Sequence, residues 1–147
     1  MRIISGNHKG KKILLPKDKL TRPLKDLTKE SIFNIIKHSK LLDIDIENSN
    51  ILDLFSGVGS FGLECLSRGA AGVTFLECYK EVLIILKKNI DNLKQQNSSQ
   101  IIEKDIFSKN TLETLNNKFD IIFIDPPYKE KKLVDLLNLI IELKLLK

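Results

Sequence analysis

The sequence predicts an α/β fold in which a parallel β-sheet carries helices on both of its faces. From residue 50 onward, apolar stretches of four to six residues alternate with segments of helical periodicity. A glycine-rich turn, GVGSFG at 57–62, joins the first of these stretches to a helical segment. Repeated β-α-β units of this kind favour a parallel sheet with right-handed crossovers. At 147 residues, the chain is long enough to bury one core without disulfides.

The N-terminal segment predicts a basic β-hairpin, which we divide from the rest as an appendage (1–20) to a larger domain (21–147). Two short runs with apolar residues, 2–5 and 11–15, flank a turn that is rich in glycine and asparagine. Such residues supply the backbone freedom that a tight connection between strands needs.

The remaining elements follow in order along the chain. A helix is predicted from about 26 to 39 with Asp26 as its N-cap, followed by a polar linker at 40–49. Gly69 closes the helix that follows the glycine turn. Strands are predicted at 50–55, 72–77, 100–103 and 119–124, and further helices at 80–93, near 111–116 and from about 131, with strand order 3-2-1-4.

The glycine turn has the spacing of a loop that holds a nucleotide cofactor. Gly57, Gly59 and Gly62 form the pattern Gly-x-Gly-x-x-Gly. Nicotinamide, flavin and S-adenosylmethionine (SAM) sites can all be built on such a turn, so the glycines alone do not select among them.

Four acidic residues lie at the ends of the four predicted strands: Asp53, Glu77, Asp105 and Asp125. Ligands of parallel sheets bind beyond the carboxyl ends of the strands, where these side chains meet. Glu77 suits an acceptor for ribose hydroxyls and Asp105 an acceptor for an adenine amino group.

Asp53 favours SAM over a dinucleotide. It lies four residues before Gly57, near the place that a cofactor pyrophosphate would occupy. A carboxylate there repels phosphate and attracts the ammonium and sulfonium groups of SAM. Ser56 and the glycine amides can wrap the methionine portion without a phosphate cradle.

The last candidate motif, Asp-Pro-Pro-Tyr at 125–128, suits methylation of a nucleobase amine. That nitrogen is a poor nucleophile because its lone pair is delocalised into the ring. Asp125 and the carbonyl of Pro126 would accept its two protons and direct the lone pair at the methyl group, while Pro127 stiffens the backbone. Tyr128 would stack on the base, which contributes about 1–3 kcal/mol in comparable contacts.

Charge is distributed unevenly along the chain. Residues 1–40 hold 11 Lys and Arg against 3 acids, and residues 41–147 hold 13 against 16. A basic segment on a mildly acidic body predicts a polyanion-binding surface, with Lys9, Lys11 and Lys12 as its candidate residues.

Several classes of protein are disfavoured. No apolar run approaches the length of a membrane span, and the N-terminus has no continuous apolar core of a signal peptide. Cys65 and Cys78 lack metal-ligand spacing and are expected to be reduced thiols. We therefore expect a cytoplasmic protein with no membrane partner and no metal.

The sequence resembles the RsmD-type 16S ribosomal RNA (guanine(966)-N(2))-methyltransferases. The segments that carry the resemblance are MRIISGNHKGKKI, TRPLKDLTKESIFNI, ILDLFSGVGSFGLECLSRGA, VTFLE and DPPY. The resemblance implies a Rossmann-like class I SAM-dependent methyltransferase domain. It also implies methyl transfer to the N2 amine of a guanine in 16S ribosomal RNA, free or in an assembly intermediate of the small ribosomal subunit.

The resemblance also assigns residues to roles. Cofactor binding is expected from Asp53, Ser56, Gly57, Gly59, Glu77, Cys78, Asp105, Ile106, Thr21 and Arg22; RNA binding from Lys9, Lys11, Lys12 and Arg22; and catalysis from Asp125, Pro126, Pro127 and Tyr128. Two departures from the family pattern accompany these roles. Leu27-Thr28 stand where an arginine is usual, with Lys25 or Lys29 as substitutes for a phosphate contact, and the last three strands of a seven-stranded sheet have no counterpart here.

Other functions remain open at this stage. Adenine-N6 methylation of DNA can use the same Asp-Pro-Pro-Tyr motif, whereas protein-glutamine methylation more often uses Asn-Pro-Pro-Tyr. A non-catalytic RNA-binding remnant would keep the basic hairpin without activity. A nicotinamide oxidoreductase is the most distant alternative.

Overall fold

The computed structural model describes residues 1–17, 24–39, 44–108 and 110–147. The helices are α1 (Asp26–His38), α2 (Ser60–Ser67), α3 (Lys80–Asn92) and α4 (Leu133–Glu142), with a 3-10 turn at Gln96–Ser98. The strands are β1 (Asn50–Leu54), β2 (Gly72–Leu76), β3 (Ser99–Ile102) and β4 (Ile121–Ile124).

The four strands form one parallel sheet in the order β3-β2-β1-β4, which confirms the predicted α/β class and strand order. In the registered pairs, Asp53 of β1 lies opposite Phe75 of β2 and Phe123 of β4. The carboxyl ends of β1, β2 and β4 therefore meet at one edge, with the end of β3 beside them.

Side chains of β1 alternate between two apolar cores because successive residues of a strand point to opposite faces. Ile51 packs with α2, α3 and the N-terminal segment, whereas Leu52 and Leu54 pack with α4 and the segment before β4. Both faces of the sheet are thus covered, as the uninterrupted apolar pattern of the strands predicts.

Helix α2 lies directly on the sheet, and every one of its residues is buried. A Cβ atom on Gly62 would lie 2.3 Å from Cε1 of Phe75. The third glycine of the turn is therefore required for close contact between helix and strand.

The predicted N-terminal hairpin is present as an antiparallel pairing of Arg2 with Lys12. Its apolar side chains, Ile3 and Ile13, are buried in the same core as α2 and α3. Its turn reaches Ser67 at the end of α2, whose backbone carbonyl accepts a hydrogen bond from the N–H of Asn7 (2.7 Å).

Three local expectations are wrong. Residues 111–116 form hydrogen-bonded turns and not a helix; the hydroxyl of Thr111 bonds the carbonyl of Asp105, which holds the chain in a local turn. Strand β4 begins at 121, because Phe119 pairs with Leu146 outside the sheet. Helix α1 begins at Asp26 itself, after an N-cap Lys25 that makes no side-chain cap.

Candidate active site

The glycine loop after β1 presents its backbone to open space. Phe55, Gly57 and Gly59 all have positive φ angles, of 57°, 55° and 84°. A Cβ on Gly59 would lie 2.6 Å from Cδ1 of Leu86, whereas a Cβ on Gly57 would meet no atom within 4 Å. Gly59 is thus required by packing inside the protein, and Gly57 lies where a ligand can approach the loop backbone.

Ser56 ties this loop to β2. Its backbone N–H and its hydroxyl both donate to the carbonyl of Leu76, at 3.0 and 3.2 Å. The side chain of Ser56 is buried, so its hydroxyl fixes the loop to β2 from inside the protein.

Asp53 is a buried carboxylate at the centre of the site. It is 1% exposed, and Oδ2 accepts a hydrogen bond from the N–H of Gly62 at 3.0 Å. Burial raises the pKa of Asp53 to about 7, the Gly62 hydrogen bond opposes this rise, and the charges of Asp125 and Glu77 add to it. A cation placed among these carboxylates would lower the pKa of Asp53, and a phosphate would be repelled.

Glu77 lies directly after β2 and organises the turn that follows. Its Oε2 accepts the N–H of Gly57 at 2.9 Å, and its Oε1 accepts the N–H groups of Cys78 and Tyr79. The glycine loop and the end of β2 are therefore joined through one half-exposed carboxylate.

Cys78, Asp105 and Ile106 lie on the neighbouring part of the same edge. Burial raises the pKa of the Cys78 thiol, and the negative charges of Glu77 and Asp105 raise it further. Cys78 is therefore close enough to both carboxylates to sense their charge. Asp105 is exposed and caps its own turn, accepting the N–H of Phe107 at 3.0 Å. Ile106 is 5% exposed and belongs to the core beneath.

The Asp-Pro-Pro-Tyr segment leaves β4 toward Asp53. Asp125 lies at the surface, yet partial burial raises the pKa of its carboxyl. The carbonyl of Pro127 accepts the N–H of Glu130 at 2.9 Å, whereas no described residue donates to the carbonyl of Pro126. Tyr128 is fully exposed, so its ring is available for stacking.

The predicted RNA-binding lysines are in a different place. Lys9, Lys11 and Lys12 are exposed on the hairpin, whose turn lies beside the C-terminal end of α2. The eight residues of α2 separate that turn from the glycine loop by about 12 Å at 1.5 Å per residue. Thr21 and Arg22 lie outside the described residues.

Sequence reasoning missed a buried charge cluster next to the site. Glu64 of α2 and Lys29 of α1 are fully buried and form an ion pair at 3.5 Å, and Arg68 pairs with the same carboxylate at 2.9 Å. Glu64 also accepts the N–H groups of Ile4 and Ser5 in the hairpin. The signal in the sequence was a glutamate within the otherwise uncharged run SFGLECLS.

The expectation that Lys29 substitutes for an RNA-binding arginine is therefore wrong. Its ammonium donates to the carbonyl of Arg2 at 2.7 Å and has no exposed surface. Burial lowers the pKa of Lys29, and the Glu64 carboxylate opposes that change. Lys25 is exposed before α1.

Asn89 of α3 is a second residue that the sequence did not single out. It is 2% exposed, and its carboxamide exchanges two hydrogen bonds with the backbone of Leu14 in the hairpin. Its nitrogen also donates to the carbonyl of Val58 in the glycine loop at 3.0 Å. One side chain thus connects the basic hairpin with the loop.

Of the predicted site residues, Ile106 borders a cavity of about 300 Å³ between residues 106–113 and α4. A cavity of about 670 Å³ lies beside β3, between Gln100–Lys104 and Thr114–Asn117. Its lining includes none of the predicted site residues. The acidic residues at the strand ends lie along an open cleft, where Gly57 borders open space.

Within the described ranges, no group of His, Cys, Asp and Glu has the arrangement of a metal site. The same residues include no helix that is long and apolar enough to cross a bilayer.

The sheet, the glycine loop and the acids at the strand ends define a domain of the class I methyltransferase type. A family model described as "Conserved hypothetical protein 95" matches residues 1–147. The chain belongs to this family, the RsmD family, as the resemblance predicted.

Similar proteins support this placement. Ribosomal RNA small subunit methyltransferase D of Buchnera aphidicola (subspecies Acyrthosiphon pisum) is 41% identical over 92% of this chain and 69% of its own length. The Escherichia coli protein of the same name is 34% identical over 95% of this chain and 66% of its own length. Escherichia coli YhhF, a solved structure described as a presumed methyltransferase, has a TM-score of 0.82 at 30% identity, covering 100% of this chain and 75% of that one.

Proposed function

We propose that this chain transfers a methyl group from S-adenosylmethionine to the exocyclic N2 amine of a guanine in 16S ribosomal RNA. The observation that carries the proposal is the cluster of three carboxyl groups, Asp53, Glu77 and Asp125, at one sheet edge beside an open glycine loop. The relatives named ribosomal RNA small subunit methyltransferase D support an RNA substrate.

The residues present fit SAM. Gly57 leaves the loop open to a ligand, and the buried Asp53 offers an anion that suits a cationic group and would disfavour a pyrophosphate. Glu77 is the candidate to hold ribose hydroxyls, with Cys78, Asp105 and Ile106 around the adenine. When bound, SAM supplies an activated methyl group on its sulfonium.

Asp125 and Pro126 are the candidates to hold the amine of the base. The carboxylate of Asp125 would accept one N–H and the carbonyl of Pro126, which no described residue occupies, would accept the other. Two fixed acceptors hold the nitrogen with its lone pair toward the methyl group and stabilise the positive charge that develops there. Asp125 would also be the residue to accept the proton that the nitrogen releases when it gains the methyl group.

Tyr128 and the prolines would fix the orientation of the base. The carbonyl of Pro127 is engaged in a turn with Glu130, which gives the segment a defined direction. The fully exposed ring of Tyr128 can stack on a base that has left its helix.

The Asp125→Ala variant tests this assignment. We expect single-turnover methyl transfer to ribosomal RNA to fall at least ~100-fold, because loss of one well-placed polar contact costs about 3 kcal/mol in the transition state. SAM affinity, measured by calorimetry, should stay nearly unchanged. A matched control is Asp135→Ala, which removes an exposed acid in the first turn of α4. Retention of more than about a third of the wild-type rate by Asp125→Ala would remove Asp125 from this role.

A further inference from the structure

The basic hairpin is fixed against one flank of α3 by polar contacts along its length. Asn89 bonds both backbone groups of Leu14, at 2.8 and 3.1 Å. Nearer the turn, the side chain of Gln95, just beyond α3, contacts the ring of His8 at 2.9 Å. The hairpin therefore lies alongside the C-terminal half of α3.

Lys88 lies on the outer face of α3, one residue before Asn89. Helical residues are offset by about 100° each, so Lys88 faces away from the core residues Leu86 and Ile90. Lys88 is exposed, and no described carboxylate forms an ion pair with it. Lys94, next to Gln95, is also exposed and unpaired among the described residues.

Lys87, one residue earlier, has a different environment. It lies on the side of α3 opposite Asn89, and its ammonium pairs with the carboxylate of Glu103 beyond β3. Its charge is therefore already balanced within the protein.

Two acidic residues share the face of α3 that carries Lys88. Glu81 lies two turns before it, in the first turn of α3. Asp91 follows Lys88 by three residues, and its Oδ1 accepts a hydrogen bond from the side-chain nitrogen of Gln96. Burial lowers the pKa of His8, and nearby Lys11 lowers it further, so the lysines and not His8 supply the charge here.

We infer that Lys88 and Lys94 of the α3 region and the hairpin lysines Lys9, Lys11 and Lys12 form one continuous surface that binds the phosphate backbone of RNA. The inference rests on the proposed function and extends it, because it places part of the RNA contact outside the basic N-terminal segment. The surface begins at the hairpin turn, about 12 Å from the glycine loop, and leads along α3 toward the strand ends. RNA bound there would run from the turn toward the catalytic segment.

Salt dependence of RNA binding tests the surface directly. For single-stranded nucleic acid, log affinity falls with log salt by about 0.7 for each phosphate contact. We expect the Lys88→Gln/Lys94→Gln variant to lower the steepness of this dependence by up to ~1.4, and Lys9→Gln/Lys11→Gln/Lys12→Gln by up to ~2.1. The probe is unmodified, in vitro transcribed 16S ribosomal RNA, measured by filter binding with the full chain.

The Lys87→Gln/Lys118→Gln variant is the control. It removes the same charge from exposed residues of other faces, so its slope should match that of the wild type. Thermal unfolding of each variant checks that the fold is retained. If the slope of log affinity against log salt for Lys88→Gln/Lys94→Gln is as steep as that of this control, or steeper, the inference is overturned. RNA contact would then be confined to the hairpin or to other surfaces.

Failure of the inference differs from failure of the proposed function. If the chain methylates ribosomal RNA but Lys88→Gln/Lys94→Gln keeps the wild-type salt slope, only the inference about the α3 surface fails. If the chain binds ribosomal RNA through both sets of lysines but transfers no methyl group to it, the proposed function fails and the inferred RNA-binding surface stands.

Discussion

At the scale of single residues, the site depends on carboxylates in environments that differ sharply. Asp53 is buried beneath the loop, Glu77 bridges the loop to β2, and Asp125 lies at the surface. An acid that is ionised inside the protein needs a cation nearby. The described residues offer Asp53 a backbone N–H but no ion pair, so a cationic ligand would supply the missing charge.

Asp53 therefore predicts a pH dependence of cofactor binding. Its pKa of about 7 in the ligand-free protein means that half of the molecules must release a proton near neutral pH before a cation binds well. SAM affinity should weaken by up to tenfold per unit as pH falls below about 7 and level off above it. Calorimetry in two buffers of different ionisation enthalpy should detect the released proton.

The Asp53→Asn variant is the matched control, since it keeps the shape and an acceptor for the Gly62 N–H while removing the ionisation. It should bind SAM weakly and without the wild-type proton release. Equal proton release in both proteins would show that Asp53 is not the titrating group.

The same shift has a consequence for stability. A carboxyl whose folded pKa is raised above its ordinary value of 3.8 binds its proton more tightly when folded. The contribution of Asp53 to the free energy of unfolding is therefore greatest below about pH 4 and declines as pH rises toward 7. Asp53→Asn should flatten the pH dependence of the melting temperature between these limits, and an unchanged profile would argue against the raised pKa.

Residues of the cleft were easier to predict than residues that support it. Asp53, Glu77 and Asp125 could be placed because strand ends follow from the apolar pattern and meet at one sheet edge. Apart from the Glu64–Arg68 pair, the partners of Glu64, Lys29 and Asn89 lie 27 to 75 positions away along the chain, so local spacing did not indicate their roles. Long-range burial of polar groups is decided by tertiary packing.

At the scale of elements, the Glu64 cluster joins the hairpin, α1 and α2. Its carboxylate accepts two hairpin N–H groups and faces the ammonium of Lys29. Buried polar groups of this kind contribute little when complete but cost much when one partner is lost. We infer that the cluster fixes the position of the hairpin relative to the glycine loop.

Glu64→Ala tests this role. We expect the free energy of unfolding to fall by about 3–5 kcal/mol, because Lys29 keeps a buried charge without its partner. Glu64→Gln, which retains an acceptor, should lose less. Glu113→Ala, at an exposed turn residue, should stay within about 0.5 kcal/mol of wild type in the same urea titration. A loss no larger for Glu64→Ala than for Glu113→Ala would contradict the account.

Elements with strong periodicity were predicted best. The four helices at 26–38, 60–67, 80–92 and 133–142 and all four strands occur where the sequence indicated them, apart from their ends. The turn segment 111–116 was predicted wrongly because its short apolar pattern resembles a helix, whereas side-chain hydroxyls there bond the local backbone. The packing of the hairpin against the main core could not be predicted either, because it depends on contacts between residues far apart along the chain.

At the scale of the whole molecule, one face of the chain exposes a stripe of apolar residues. Val134, Leu137 and Ile141 of α4 are 67%, 42% and 73% exposed and recur at helical spacing. Strand β4 is the edge strand on one side of the sheet, and before it Phe119 makes an isolated bridge to Leu146. Exposed apolar stripes next to an open strand edge favour association.

The 147-residue chain should therefore self-associate through this face. Light scattering across a concentration series should show mass rising above that of a monomer, and Val134→Lys/Ile141→Glu should reduce the rise without a change in net charge. The matched control is Ile84→Lys/Ile35→Glu, which changes exposed apolar residues of other helices. A wild-type chain that stays monomeric at all concentrations would contradict the expectation.

The most direct test of the central claim identifies the methylated atom. Unmodified 16S ribosomal RNA, small ribosomal subunits and DNA are each incubated with the chain and SAM labelled in its methyl group, and the nucleic acid is digested to nucleosides. We expect the label in N2-methylguanosine from ribosomal RNA or subunits, and its loss with Asp125→Ala. Label in N6-methyladenine from DNA, or no transfer by a chain that binds SAM, would contradict the claim.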